Sequence, residues 1–260
     1  MTEGLRKIEL QCSDQINVSL AHYPAGGRQR PHAHSYTQIS FLLSGGLLER
    51  HGSREWTPVC SAVGRKPAGV QHDNHWGADG ALIFSIKLRG GELEMLEASK
   101  PVGWTPSGMT AMNPVLVRHC LSEDAALRLE AVEDLLAIRG PAGPSPHSPP
   151  KWLAGAVEEI RDSPSSMTVA EAARLAGVHR AHFSMIFTRH FNVPPSVYRR
   201  GVMVARAVSR LARDDDSVTT IAHEEGFSDQ AHLSRCIRAA SGVPPRMIRK
   251  WLTGPDMRSS

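Results

Sequence analysis

The chain has 260 residues, a hydrophobic fraction of 41% and a formal net charge of +4, which is enough for about two domains with ordinary apolar cores. No apolar run approaches the roughly 18 residues that a membrane span needs, and residues 1–11 lack the apolar segment of a signal peptide. The four cysteines (Cys12, Cys60, Cys120 and Cys236) are far apart, so we expect reduced thiols in a cytoplasmic protein with no membrane partner.

Residues 5–88 have the pattern of a β domain. Residues 16–20 alternate between apolar and polar side chains, as a half-buried strand does. Further strands are predicted at 36–43, 47–49 and 81–88, with Gly45 and Gly46 as a hairpin turn between two of them. Several short strands separated by Gly and Pro predict a sandwich or a barrel.

A histidine cluster lies within this β region. His32 and His34 are two residues apart and would share one face of a strand, Gln38 follows, and His72 can come from a neighbouring strand. The three histidines are suited to a divalent metal. They could equally line a small-molecule effector pocket together with Gln38, or be structural histidines satisfied by hydrogen bonds. The residues alone leave all three interpretations open.

The spacing around these histidines resembles the cupin barrel signature over about 50 residues. The matching positions are Gly26, His32, His34, Gln38, Gly45, Pro67, Gly69 and His72. The resemblance implies a barrel, but three departures weaken its metal site. Gln38 stands where metal-binding cupins usually carry Glu, Ser61 stands where the second motif begins with Gly, and Trp76 replaces its Asn.

Helices and a linker follow the β region. One short helix is expected at 92–99, and Ser122 can cap a helix over 122–139. Its apolar stripe consists of Ala126, Leu127, Ala131, Leu135 and Ile138. Residues 140–150 contain five prolines and two glycines, which predicts a semi-stiff linker between two domains.

Charge divides the two halves of the chain. Residues 1–150 carry a net charge of −1, and residues 151–260 carry +5, with 14 arginines among 16 cationic side chains. Arginine is suited to bidentate contacts with phosphate and guanine. The excess could belong to an ordinary solvated surface, but it favours nucleic-acid binding if a recognition motif accompanies it.

Such a motif occurs twice in the helical half. Residues 168–187 and 217–237 each begin with a capping hydroxyl, at Thr168 and Ser217. Each then has an Ala four residues before a Gly, at Gly177 and Gly226, and continues with apolar residues at helical spacing. This is the pattern of a helix-turn-helix. A long helix at 196–213 connects the two units.

Residues 151–251 resemble the DNA-binding domain of the AraC-type bacterial transcription regulators. The most specific part is GFSDQAHLSR at 226–235, followed by GVPP at 242–245. The resemblance implies promoter DNA and RNA polymerase as partners, and a cupin-like effector-sensing domain at 1–139. It also implies that the 122–139 helix pairs two subunits in a homodimer, although that helix could equally cover its own barrel. The DNA-binding domain then spans 151–260.

The second helix of each unit is expected to enter the major groove. Arg235 can reach guanine and Gln230 adenine, whereas Met185 holds the place of Arg235 in the first unit. Any single arginine here could instead be a solvated charge. The outward positions are Arg180, Ala181, Ser184, Met185 and Arg189 in the first helix, and Gln230, Ala231, His232, Arg235 and Arg238 in the second.

The sequence therefore predicts an α+β protein of two domains, a cupin-like β-barrel with flanking helices followed by an all-α domain with two helix-turn-helix units. We expect a sequence-specific transcription regulator whose first domain senses a small molecule or a metal. The competing class is a metal-dependent cupin enzyme that uses His32, His34 and His72. No paired carboxylates accompany these histidines, so no catalytic residue is assigned. A DNA-independent interaction protein is disfavoured by the repeated motif.

Overall fold

The computed structural model describes residues 4–58, 62–106, 114–137, 150–191, 193–213 and 215–254. An antiparallel β region comes first and an all-helical region follows, which confirms the predicted α+β class. The strands are β1 (Arg6–Gln11), β2 (Ile16–Tyr23), β3 (Arg28–His32), β4 (Thr37–His51), β5 (Arg54–Trp56), β6 (Ala62–Lys66), β7 (His72–Leu88) and β8 (Gly103–Pro106).

The sheet is built around its two longest strands, β4 and β7. Its main order is β1-β2-β7-β4-β6-β8, while β3 also pairs with β7 and β5 with β4. The predicted strands at 16–20 and 81–88 are parts of β2 and β7. The helix α1 (Gly91–Ala98) lies one residue before the short helix expected at 92–99.

The hairpin turn predicted at Gly45 and Gly46 is wrong. The strand β4 runs continuously through both glycines, and its pairing with β7 shifts register between Leu42 and Ser44 and between Gly45 and Leu47. Gly45 has a φ of +83°, and a Cβ at this position would collide with the carbonyl oxygen of Gly80. The glycine therefore forms a bulge where two backbones meet, and a bulge uses the same positive φ as a turn.

The two faces of the sheet have different surroundings. On β7, Phe84 and Ile86 are fully buried in the main apolar core, which also contains residues of the helices. The alternating residues Ser85 and Lys87 line a cavity on the opposite face. Because side chains alternate along a strand, one sheet both supports the helices and forms a polar interior.

The helices next to the sheet are α2 (Pro114–Cys120) and α3 (Ala125–Ala137). The sequence did not predict α2, and it misplaced the cap of α3. Asp124, not Ser122, accepts hydrogen bonds from the backbone N–H groups of Ala126 and Leu127, at 2.9 and 3.3 Å. The helix therefore begins two residues later than a cap at Ser122 would place it.

The apolar stripe of α3 was predicted only in part. Ala131 and Leu135 are buried as expected, Val132 is buried with them, and Ala126 is exposed. The buried positions join the core beneath the sheet, so this helix covers its own β domain. The end of the predicted stripe, Ile138, lies outside the described residues.

The helical region consists of α4 (Lys151–Asp162), α5 (Val169–Leu175), α6 (Arg180–Phe191), α7 (Pro195–Arg213), α8 (Val218–Glu224), α9 (Gln230–Ser241) and α10 (Pro245–Thr253). Helices α4, α5 and α6 enclose a core that contains Leu153, Ile160, Phe183 and Phe187. Helices α8, α9 and α10 instead contribute to the main core that the sheet shares. The long α7, predicted at 196–213, contributes to both cores.

Polar contacts also join α7 to the β region. Arg206 Nε donates to Asp79 Oδ1 at 2.9 Å, and Ser209 Oγ donates to the backbone oxygen of Asp79 at 2.7 Å. His22 Nε2 lies 3.1 Å from the same hydroxyl. The two regions thus share apolar and polar contacts. Residues 140–149 of the expected linker lie outside the described residues, so the domain boundary stays a prediction.

Two sequence expectations concern thiols and membranes. Cys12, Cys120 and Cys236 are free thiols, and Cys60 lies outside the described residues. Of the helices formed by the described residues, none combines the length and the apolarity that a bilayer crossing requires.

Candidate functional site

The first helix-turn-helix consists of α5 and α6, and its start is fixed by a capping box. Thr168 Oγ1 accepts from the backbone N–H of Glu171 at 3.2 Å, and the Glu171 carboxylate accepts from the backbone N–H of Thr168 at 2.9 Å. These bonds satisfy donors that a helix start leaves free, and they hold the pKa of Glu171 below its ordinary value. Gly177 has a φ of +68° in the turn before α6.

The second unit, α8 and α9, repeats this geometry with tighter packing. Ser217 Oγ accepts from the backbone N–H of Thr220 at 3.0 Å. Gly226 has a φ of +81°, and a Cβ there would collide with Ser165 in the segment before the first unit. Asp229 caps α9 by accepting from the backbone N–H of His232 at 2.6 Å, and this bond lowers the pKa of the Asp229 carboxyl.

Each recognition helix has a buried face and an exposed face. Phe183 and Phe187 in α6, and Leu233 and Ile237 in α9, are fully buried. The predicted contact residues lie on the other side. Exposed are Arg180, Ala181, Met185, Arg189, Gln230, Ala231, Arg235 and Arg238, and partly exposed are Ser184 and His232. All ten are therefore accessible, and their contacts with DNA stay predictions.

Two polar residues at the start of α9 are held by neighbours. Gln230 Oε1 accepts from Thr219 Oγ1 at 2.8 Å, which leaves the amide N–H₂ of Gln230 as the group that can meet a base or a phosphate. His232 Nδ1 lies 3.2 Å from Ser228 Oγ. These contacts reduce the side-chain freedom that would otherwise be lost on binding.

The three histidines of the β region come together as predicted, but not by the predicted route. The ring centroids of His32 and His72 are 4.3 Å apart, and those of His32 and His34 are 4.8 Å apart. One ligand nitrogen from each of the three lies within 4.8 Å of the others. The strand β3 ends at His32, so His34 joins the cluster from the following loop and not from the same strand face.

Backbone carbonyls fix the tautomers of two of these rings. His32 Nδ1 lies 2.9 Å from the oxygen of Arg30, and His72 Nδ1 lies 3.1 Å from the oxygen of Val70. A carbonyl only accepts, so each Nδ1 carries the proton and each neutral ring has a free lone pair on Nε2. His32 Nε2 is buried and has no hydrogen-bond partner among the described residues. Histidines that ligate a metal typically donate their other ring N–H to a carbonyl or a carboxylate in this way.

The electrostatics of the cluster favour neutral rings. Burial lowers the pKa of His34 to about 4, assisted by His32 and Lys66. Burial also lowers the pKa of His72 to about 3, and Lys66 lowers it further while Glu49 opposes the shift. Neutral imidazole is the form that binds metal. The donor set therefore fits a divalent ion.

Gln38 is not part of the three-histidine cluster. Its Nε2 donates to Ser40 Oγ at 2.7 Å, on the wall of the same cavity. Of the four predicted effector-pocket residues, His32, His34 and His72 thus form a cluster suited to a metal, and Gln38 lies on the cavity wall.

The buried charges of this cavity were not predicted from the sequence. Lys66 Nζ donates to Glu49 Oε2 at 2.7 Å, and both side chains are almost fully buried. Burial alone would raise the pKa of Glu49, but the charge of Lys66 and hydrogen bonds from His51 and Lys66 lower it to about 2. The available signal was strand alternation, which places Glu49 on the same face of β4 as Leu47.

Comparison with known proteins places the helical region in a family. Residues 172–250 match the family model described as a helix-turn-helix domain. A putative AraC-like transcription regulator of Streptomyces lividans is 28% identical over 120 residues, which are 43% of this chain and 40% of that protein. The transcriptional activator RhaS of Pectobacterium carotovorum is 39% identical over 61 residues, which are 24% of this chain and 22% of that protein. The matches thus span less than half of these relatives.

A solved structure is similar to the β region. A cupin superfamily protein from Desulfitobacterium hafniense matches with a TM-score of 0.32 and 17% identity, over 35% of this chain and 82% of that one. The matched domain at 172–250 contains the repeated units α5–α6 and α8–α9, apart from the first residues of α5. The helical region therefore contains a helix-turn-helix domain of the matched family, and the chain is similar over 120 residues to a putative AraC-like transcription regulator.

Proposed function

We propose that the chain regulates transcription by binding promoter DNA through α6 and α9, under the control of a small molecule sensed by the β domain. The observation that carries this proposal is the repeated unit itself. Two capped, glycine-turned helix pairs each bury one face of the second helix and leave the other exposed. That is the geometry by which a helix-turn-helix enters a major groove.

The two recognition helices are expected to contribute unequally to sequence preference. Helix α9 exposes Arg235, which can pair bidentately with guanine, and Gln230, whose amide N–H₂ can donate to adenine N7. Helix α6 exposes Met185, 59% accessible, at the place of Arg235. Base recognition by α6 therefore rests on apolar contact. Arg180 and Arg189 are expected to contact phosphates.

A short path connects the cavity of the β domain to α7. Tyr23 lines the cavity, and its neighbour His22 points to the other face of the sheet, where it meets Ser209. Asp79, on the same sheet, holds Arg206 and Ser209. A ligand that moves β2 or β7 would therefore act directly on the helix that joins the two reading units.

A divalent metal is proposed at His32, His34 and His72. The buried lone pair of His32 Nε2 and the two carbonyl-fixed tautomers support it. When bound, the metal would supply a Lewis-acidic position for an oxygen atom of an effector. Elemental analysis of protein expressed with metals should find near-stoichiometric ion, which is lost when all three histidines are changed to Ala. Metal-free protein from such cultures would contradict this part of the proposal.

The remaining parts of the proposal concern partners and location. RNA polymerase is the expected protein partner, a homodimer is the expected assembly, and the cytoplasm is the expected compartment. The buried stripe of α3 bears on the homodimer, because Ala131, Val132 and Leu135 are already covered within one chain. A dimer through this helix would have to use its outer face. Sedimentation of the full chain at several concentrations would test it.

Footprinting of the full chain on a selected genomic fragment tests the function itself. Two protected segments about one helical turn apart are expected for two units held by one rigid helix. A cupin enzyme that does not bind DNA would leave no footprint. Absence of a footprint would therefore favour the alternative class, a metal-dependent cupin enzyme.

A further inference from the structure

The inner face of the sheet encloses a cavity of about 150 Å³. One part of its wall is polar and contains His34, His72, Gln38, Ser40 and Ser85. Another part is flat and apolar and contains Tyr23, Leu47, Trp76, Ile83 and Trp104. Tyr23 and Trp76 stack with their ring centroids 3.8 Å apart. The cavity wall therefore combines aromatic side chains with hydrogen-bonding groups.

The charge of this wall is positive. Its described residues include three lysines, Lys7, Lys66 and Lys87, and one carboxylate, Glu49. Glu49 pairs with Lys66, while the exposed Glu9 hydrogen-bonds to Lys87 at 2.6 Å and to Lys7. These five groups leave one uncompensated positive charge. Burial lowers the pKa of Lys87, the neighbouring Lys7 lowers it further, and Glu9 opposes the shift.

Two buried indole donors, on tryptophans that line the cavity, have no acceptor among the described residues. Trp76 and Trp104 are each 5% exposed, and within the described part of the chain neither Nε1–H has an acceptor. A buried indole N–H usually has a partner, because leaving it unpaired costs free energy. Trp104 also lies beside Lys66, whose Nζ is 5.5 Å from its ring centroid, so an acceptor that carries negative charge would suit this part of the wall.

We propose that the cavity of the β domain binds a small organic acid, whose carboxylate meets Lys87 and an indole N–H while a flat apolar body lies against the tryptophans and Tyr23. This rests on the proposed sensing function and names the chemical class of its effector. A cavity of about 150 Å³ admits on the order of ten non-hydrogen atoms. That is the size of a single ring bearing a carboxylate.

Benzoate is a suitable probe, with benzamide as its neutral isostere and acetate as the anion without a ring. Titration of the full chain by calorimetry and by tryptophan fluorescence should show benzoate binding at least about tenfold more tightly than either control. The measurement is made before and after chelator treatment, so that a carboxylate bound to the cavity wall is separated from one bound only to a metal. Equal affinity for benzoate and benzamide, or binding abolished by chelation, would overturn the proposal.

Two variants test the assigned groups. Lys87→Gln removes the cation and should weaken benzoate binding about tenfold or more. Trp104→Phe keeps an aromatic side chain, although a smaller one, and removes the indole N–H donor, so it should weaken binding severalfold. Lys100→Gln is the matched control, because Lys100 pairs with Glu97 and does not line the cavity. Thermal melts establish that each variant is folded. Benzoate affinity unchanged in both folded cavity variants would contradict the assignment.

This experiment is independent of the proposed regulatory function. Benzoate binding is measured without DNA, and DNA binding is measured separately with and without benzoate. A chain that binds DNA but not benzoate refutes only the effector class. A chain that binds benzoate but no DNA refutes the regulator and leaves the cavity assignment standing.

Discussion

The stability of the protein should fall on acidification partly through His22, at the contact between the sheet and α7. Its side chain is 2% exposed, and its Nε2 lies 3.1 Å from Ser209 Oγ. Burial lowers the pKa of His22 to about 4, and the positive charges of Arg213 on α7 and Arg6 on β1 lower it further. The folded chain therefore excludes a proton that the unfolded chain accepts.

The sign and size of the effect follow from these pKa values. The unfolded histidine titrates near 6.5, so the contribution of the neutral ring to stability is fully present above that pH. It is lost as the pH falls towards 4, because the unfolded state binds the proton first. With folded and unfolded values of about 4 and 6.5, the free energy of unfolding should fall by about 2 kcal/mol between pH 8 and pH 5.

Urea unfolding at pH 8 and pH 5 measures this loss. Other buried histidines titrate in the same range, so the test is the difference between variants. His22→Gln should be less stable than the wild type at pH 8, but should lose about 2 kcal/mol less on acidification. Ser209→Ala should keep the full pH dependence, because burial and not the hydroxyl is the main cause. If His22→Gln and the wild type lose equal stability, the reasoning is refuted.

Arg235→Ala should cost about 1–3 kcal/mol on the specific DNA site and flatten the preference at one base pair, while Met185→Ala should cost less. Binding to single-base operator variants measures both, and the reverse order would mean that α6 is the dominant reader. Arg189→Ala should weaken binding to all DNA sequences alike and should reduce the slope of log affinity against log salt concentration by about one. A loss of affinity that depends on the DNA sequence would contradict a phosphate contact. Gly177→Ala should lower the free energy of unfolding by about 1 kcal/mol, which is the strain of placing alanine at a positive φ. Gly226→Ala should cost clearly more in urea unfolding, because its Cβ also collides with Ser165; equal losses would contradict the tight packing.

The helical half could be predicted closely because its signals are local. A capping hydroxyl at Thr168 or Ser217, a glycine in the left-handed region and a proline at the start of α7 each act within one turn of helix. The repetition of the same signals then identified the unit. Ser and Asp are both favoured as helix caps, so the sequence pattern did not show that Asp124, and not Ser122, caps α3.

The β half could be predicted only in outline because its contacts are distant in sequence. A positive φ at Gly45 serves a turn or a bulge equally well, and only the pairing of β4 with β7 decides between them. Alternation in β7 separates Phe84 from Lys87, but it does not say which face encloses a cavity. Lysines on strands are usually solvated, so Lys66 and Lys87 gave no sign of their burial.

Selection of fragments from the parent genome by the purified full chain, followed by titration of the selected duplex at several salt concentrations, tests the central claim most directly. The account predicts a defined site that is bound well above bulk DNA, with affinity that falls steeply as salt rises. It also predicts that Arg235→Ala removes most of the preference. Absence of binding, or binding without sequence preference that is indifferent to salt, would contradict it.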